Sequence, residues 1–208
     1  MPPRWRWGFA GDMPGYKHDA PPELPARRPI CLSPNLHHIL RVDLEPPDTH
    51  YFSAAVGWLE LGNAREARVE LAQLSASCLQ NPEVLEVRWL LAAAEQDWDG
   101  ALDTSRALMR VAPQRASGWL HHAYALRRVR GGGLRAAWDA LLPAFDQFPK
   151  EPTVAYNLSC YASQLAWLDE ARKWFHRALE LGNKKKIKSM ALVDPDLKPL
   201  WQEIAGAS

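Results

Sequence analysis

The chain has 208 residues, 47% apolar and 24% charged, with a net charge of +1. That length suffices for one domain with a sizeable core, and the near-neutral balance excludes a global field drawing the chain onto nucleic acid or an anionic membrane. Three scattered cysteines, Cys31, Cys78 and Cys160, exclude a disulfide framework or a zinc site and read as reduced thiols of a cytoplasmic protein.

Residues 1–47 differ from everything after them. They hold ten of the 17 prolines, which remove backbone donors and fix φ, so the segment is expected to be irregular, largely disordered or extended. A short ordered piece is expected at residues 36–44. Trp5, Trp7 and Phe9 offer rings for docking on the folded part, and Met13 stands as an alternative first residue. The start, MPPRWRWGFAGDMPGY, lacks the apolar run of a signal peptide, and no stretch approaches the length of a membrane helix. A cytoplasmic location without membrane contact is therefore expected.

From Asp48 onward the pattern is helical and repeats. Four related phrases occur: LGNAREARVELAQL (61–74), EQDWDGALDTSRAL (95–108), GGGLRAAWDALLPAF (131–145) and LAWLDEARKWFHRAL (165–179). Their alanines, Ala67, Ala101, Ala137 and Ala171, are separated by 34, 36 and 34 residues. Two helices of about 14 residues with two short turns fill such a period. Where antiparallel helices cross at about 8–10 Å, a small side chain sets the closest contact. Ala67, Ala101, Ala137 and Ala171, with Ala178 in the last phrase, are thus structural repeat positions. Asn81 before Pro82, Asp97 before Trp98 and Asp194 before Pro195 read as helix N-caps.

These residues resemble the tetratricopeptide repeat. Leu158, Ser159, Ala171, Phe175 and Ala178 match its pattern, as do Trp119, Ala123, Ala137, Leu141, Ala144 and Pro149, and Tyr51, Ala54, Ala55, Trp58, Gly62, Ala67 and Leu71. The second unit keeps Leu85, Ala101 and Pro113 but carries Arg88-Trp89 where leucine and a small residue are the rule. PEVLEVRW, YNLSCYASQL and MALVDPDLKPLW also resemble a group of small bacterial proteins with few repeats and a closing helix. The resemblance implies an all-α, right-handed solenoid of four helix pairs at 48–81, 82–114, 115–150 and 151–183. Residues 184–208 form capping helices, in which Leu197, Leu200, Trp201 and Ile204 cover the end of the stack.

It also implies a binding role. In such a solenoid the first helix of each pair lines a concave groove, here with Phe52, Val56, Glu86, Leu90, Leu120, Tyr124, Arg127, Arg128, Tyr156, Asn157 and Gln164. That wall suits a peptide or partner helix with apolar anchors and an acidic group. The carboxylate clamp that some repeats use on heat-shock chaperones is absent, since the matching places hold Phe52, Val56, Val87, Ser117 and His121. Alternative occupants are the N-terminal segment and a second copy in a homo-oligomer, and an alternative role is that of a dedicated chaperone for a secreted or assembling protein.

Catalysis finds little support. His37-His38 and His121-His122 are adjacent pairs, about 100° apart on a helix, and read as partly exposed polar residues with no metal. Gly131–Gly133 among Arg127, Arg128, Arg130 and Arg135 lacks the strand and Gly-Lys-Ser/Thr of a phosphate loop. It reads as a flexible two-residue insertion, with an enzyme of phosphorylated ligands as the remote alternative. Lys184, Lys185, Lys186 and Lys188 read as a solvated run complementing the dipole of the preceding helix. Trp58, Trp89, Trp119, Trp138 and Trp174 are assigned to packing, and Trp98 and Trp167 to half-exposed turns. No cofactor is expected.

Overall fold

The computed structural model describes residues 44–206, in which every element is helical. The expectations for residues 1–43, including the ordered piece at 36–44 except Leu44, lie outside the described residues. Eight helices run in sequence: α1 Asp48–Glu60, α2 Ala64–Leu71, α3 Pro82–Ala94, α4 Trp98–Val111, α5 Ala116–Leu126, α6 Leu134–Gln147, α7 Pro152–Gln164 and α8 Leu168–Leu181. Then come α9 Lys184–Ala191, a 3-10 helix Pro195–Leu200 and α10 Trp201–Gly206. Each helix packs on the next from α3 to α8, and α1 packs on α2, the signature of stacked hairpins.

The four alanines share one register. Each is the fourth residue of its helix, fully buried, with its N–H donating to the carbonyl of the N-cap residue: Ala67 to Asn63, Ala101 to Asp97, Ala137 to Gly133 and Ala171 to Trp167. Ala144 and Ala178 are fully buried further along α6 and α8, and Phe175 is 5% exposed. On the partner helix of the last pair, Ser159 and Ala162 are equally buried, and the Ser159 hydroxyl donates to the Ala171 carbonyl at 2.7 Å. A larger side chain there has nowhere to go.

The hairpin turns repeat as well. In three of them the N-cap N–H donates to a carbonyl five residues back: Asn63 to Trp58, Asp97 to Ala92 and Trp167 to Ala162. The residue before each N-cap has positive φ: 75° at Gly62, 61° at Gln96 and 62° at Ala166. This is a left-handed helix stop. In the remaining turn Gly133 donates to Leu126, seven back, so the two additional residues of the longer interval sit here. The glycines are required rather than merely flexible. A Cβ on Gly132 would fall 1.9 Å from the Leu126 carbonyl oxygen, and Gly131 and Gly133 have φ of 81° and 129°.

Caps hold the helix starts. Asn81 accepts from Glu83 and Val84, Asp97 from Gly100, and Asp194 from Asp196; Asn63, Glu151 and Asn183 do the same elsewhere. Lys184, Lys185 and Lys186 are exposed in the first turn of α9, where the dipole disfavours cations, so solvation and the Asn183 cap carry that start. Beyond α9, Leu197, Leu200 and Ile204 are buried, and the half-buried Trp201 indole donates to the Ala191 carbonyl.

Turn chemistry yields opposite outcomes for two substitutions. Ala166→Gly relieves a left-handed non-glycine residue at an exposed turn and is expected to stabilise by about 0.5 kcal/mol. Gly132→Ala forces the turn open and is expected to cost more than 1 kcal/mol. Urea unfolding measures both.

Candidate functional site

The first helices α3 and α5 meet along a seam of three polar and aromatic rungs. Arg115 pairs with Glu83 at 2.6 Å; Glu86 accepts from Ser117 and bonds His121; the Trp89 indole stacks on His121 with centroids 3.9 Å apart. Glu83, Glu86 and Trp89 are three residues apart, so one face of α3 supplies all three. The Arg88-Trp89 departure from the repeat pattern is thereby explained. Trp89 is fully buried across the seam while Arg88 points to water.

Burial alone would raise the Glu86 carboxyl. The hydrogen bond and charge of His121, the Ser117 hydroxyl and the charge of Arg115 outweigh it and hold the group below its ordinary value. His121, 3% exposed, is a buried structural partner, which corrects its reading as a partly exposed residue.

Past this seam the chain covers its own wall. Tyr156, Cys160 and Gln164 are four residues apart on one face of α7, and residues 194–196 lie along that face. The Tyr156 hydroxyl donates to Asp194 at 2.9 Å, the Cys160 thiol to Asp194 at 3.6 Å, and the Gln164 amide to the Asp196 carbonyl at 3.1 Å. Arg127 ends α5 and grips Asp196 through both terminal nitrogens. Burial would lower the Arg127 guanidinium, but the bond and charge of Asp196 raise it overall.

The expected groove residues therefore divide. Phe52 and Val56 lie inside the cluster formed with Ala67, Leu71, Val84 and Val87. Leu120 and Tyr156 belong to the larger cluster, Glu86 is committed to its seam, and the buried Asn157 amide donates to the Thr153 carbonyl. Tyr124, 8% exposed, belongs to the larger cluster too. The picture of all eleven side chains facing an open groove is corrected for these seven, because a first helix also packs against neighbouring hairpins. Arg127 and the exposed Gln164 are engaged by the closing segment.

What remains is a compact site at the end of α5. The Arg128 guanidinium lies 3.5 Å from the centroid of the Tyr124 ring and 5.2 Å from that of Trp98, and donates to the Tyr124 carbonyl at 3.0 Å. The Trp98 and Tyr124 ring centroids are 6.1 Å apart. Leu90, the remaining groove candidate, is half-buried on α3. Arg128 has no carboxylate within ion-pair distance among the described residues. Burial pushes its guanidinium down and the charge of Arg127 adds to this, outweighing the opposing influence of Tyr124, Tyr161 and the more distant Asp196 carboxylate. Trp98, assigned from sequence to a half-exposed turn, is half-buried, and its place opposite Arg128 carried no sequence signal. Among the described residues no group of three or more His, Cys, Asp or Glu side chains is placed to hold a metal, and no helix is long and apolar enough to cross a membrane.

No family model matches the chain, and no curated protein matches it. Among solved structures it is similar to MamA AMB-1, in crystal form P212121, with a TM-score of 0.51 and 18% identity over 77% of this chain and 93% of that one. MamA is a TPR-like helical protein, and a likeness at this identity is one of fold: the chain has a TPR-like, all-α solenoid fold.

The Glu86 rung sets a pH test. A carboxyl held below its unfolded value stabilises above the unfolded pKa of about 4.3 and loses that contribution as pH falls through the folded value. Glu86→Gln is expected to cost about 3 kcal/mol at pH 7, with the gap from wild type narrowing below about pH 4. Guanidinium unfolding at the two pH values measures it, and a pH-independent gap would reduce Glu86 to a packing role.

Proposed function

We propose that the chain is a non-enzymatic protein-interaction module whose solenoid presents a peptide-binding groove, with Arg128, Trp98 and Leu90 as its contact surface and the buried Tyr124 ring behind Arg128. The TPR-like fold supports an interaction scaffold. The observation that carries the reading is a half-buried arginine, stacked on two rings, with no carboxylate within ion-pair distance among the described residues. A planar cation on aromatic faces takes a carboxylate in a directed way, and the rings supply apolar area beside it. A peptide with an acidic residue flanked by apolar anchors fits this chemistry.

In this reading four repeats, with boundaries at 48–81, 82–114, 115–150 and 151–183, wind right-handedly, and residues 184–208 close the stack. The cytoplasm is the proposed location. Arg127 contributes by holding the closing segment in place rather than by meeting the partner.

Affinity purification from the native host, compared by isotope-labelled mass spectrometry, tests this. Arg128→Glu, with its circular dichroism unchanged, is expected to lose a partner captured by the wild type by tenfold or more, on the order of one charged interaction reversed. An identical partner set for both proteins would rule the site out.

A further inference from the structure

The outer face of α9 serves neither the stack nor the Arg128 site. The helix packs on α8 and α10 through Ile187 and Ala191, which are four residues apart and buried. On the opposite side Lys185, Ser189 and Leu192 follow one another at four and three residues, flanked by Lys184, Lys186 and Val193. All six are exposed, Leu192 at 39% and Val193 at 65%. Lys185 and Leu192 lie about 10 Å apart along the helix, so cations and aliphatic pair form one strip. Among the described residues the other strongly exposed large hydrophobics, Leu61, Val69, Val111 and Leu142, are scattered singly, as on any surface.

Two features distinguish this strip from a solvated run. Lys184, Lys185 and Lys186 form the first turn of α9, where the positive end of the dipole disfavours cations, so the helix itself gains nothing from them. The neighbouring acids are also engaged elsewhere. Glu180 pairs with Arg177, Asp196 with Arg127 and Glu203 with Arg172, and the buried Asp194 accepts from Tyr156. No ion pair reaches Lys184, Lys185 or Lys186 among the described residues. The strip is therefore locally positive on a chain of net charge +1. It acts within a Debye length, about 8 Å at physiological salt, so distant acids do not cancel it.

The chemistry of the strip selects its occupant. An ammonium group is a compact point charge without the planar fork of arginine, so it directs no single carboxylate and suits a surface of many anions. Residues 184–193 include no aromatic ring on which a base could stack, which disfavours nucleic acid. Exposed leucine and valine beside the cations suit the boundary between headgroups and acyl chains.

We propose that the outer face of α9 docks the protein peripherally on an anionic membrane surface, with Lys184, Lys185 and Lys186 among the headgroups and Leu192 and Val193 entering the interface. The strip shares no residue with the Arg128 site, so it stands or falls independently of the partner-binding reading. Where both hold, a partner gripped at Arg128 is brought to the membrane.

Co-sedimentation of the full-length chain with vesicles tests this, using phosphatidylcholine alone or mixed with one-third phosphatidylserine. Binding is expected with the anionic vesicles only, and it weakens as salt is added. Lys184→Glu, Lys185→Glu and Lys186→Glu together are expected to lower partitioning a hundredfold or more, at roughly fivefold per lysine. Circular dichroism and Tm of this variant are expected to hold, since acids suit the first turn of a helix. Leu192→Ser with Val193→Ser is expected to lower partitioning about tenfold. No sedimentation with anionic vesicles, equal sedimentation with neutral ones, or undiminished binding by either variant would overturn the proposal. Loss of a host protein by the lysine variant, without vesicle binding by the wild type, would assign the strip to an acidic protein partner instead.

Discussion

The close approach of helices at Ala67, Ala101, Ala137 and Ala171 is the constraint from which the rest of the molecule follows. Each alanine is the fourth residue of its helix and has no exposed surface. A single hairpin leaves one apolar face uncovered, so the crossing distance set by these residues determines how the next hairpin nests. The turn chemistry serves the same end. In three of the four hairpins a left-handed residue and an N-cap bond deliver the second helix in one register, and the third hairpin absorbs two further residues in glycines without shifting Ala137.

Electrostatics then decides which surfaces remain. The polar residues of the first helices are mostly spent internally: Glu86 on His121 and Ser117, Tyr156 on Asp194, Arg127 on Asp196. Each is a long-range pairing that satisfies a buried or half-buried group and fixes one hairpin, or the closing segment, against another. Arg128 differs, since its guanidinium rests on rings and a backbone carbonyl. The proposed interaction surface is therefore smaller than the repeat geometry alone implies, and its chemistry is that of a single arginine framed by aromatics.

Periodic features were legible in the chain before any coordinates. The alanine interval, the stops and the caps at Asn81, Asp97 and Asp194 are local, and local rules carry them. The groove was legible only in outline. Family geometry says which helix faces inward, but whether Phe52 or Tyr156 is covered depends on neighbours far along the chain. Arg127 and Asp196 are 69 residues apart, and no periodicity announces their bond. Trp89 was the one aromatic departure from the repeat pattern, and its stacking on His121 turns that departure into a seam.

Leucine substitution at the four crossings, set beside the same change at Ala94, an exposed alanine at the end of α3, tests the account most directly. Overpacking is expected to lower unfolding free energy by about 1–3 kcal/mol at Ala67, Ala101, Ala137 or Ala171, and by less than about 0.5 kcal/mol at Ala94. Equal, negligible losses at all five positions would contradict the claim that these small side chains set the spacing of the stack.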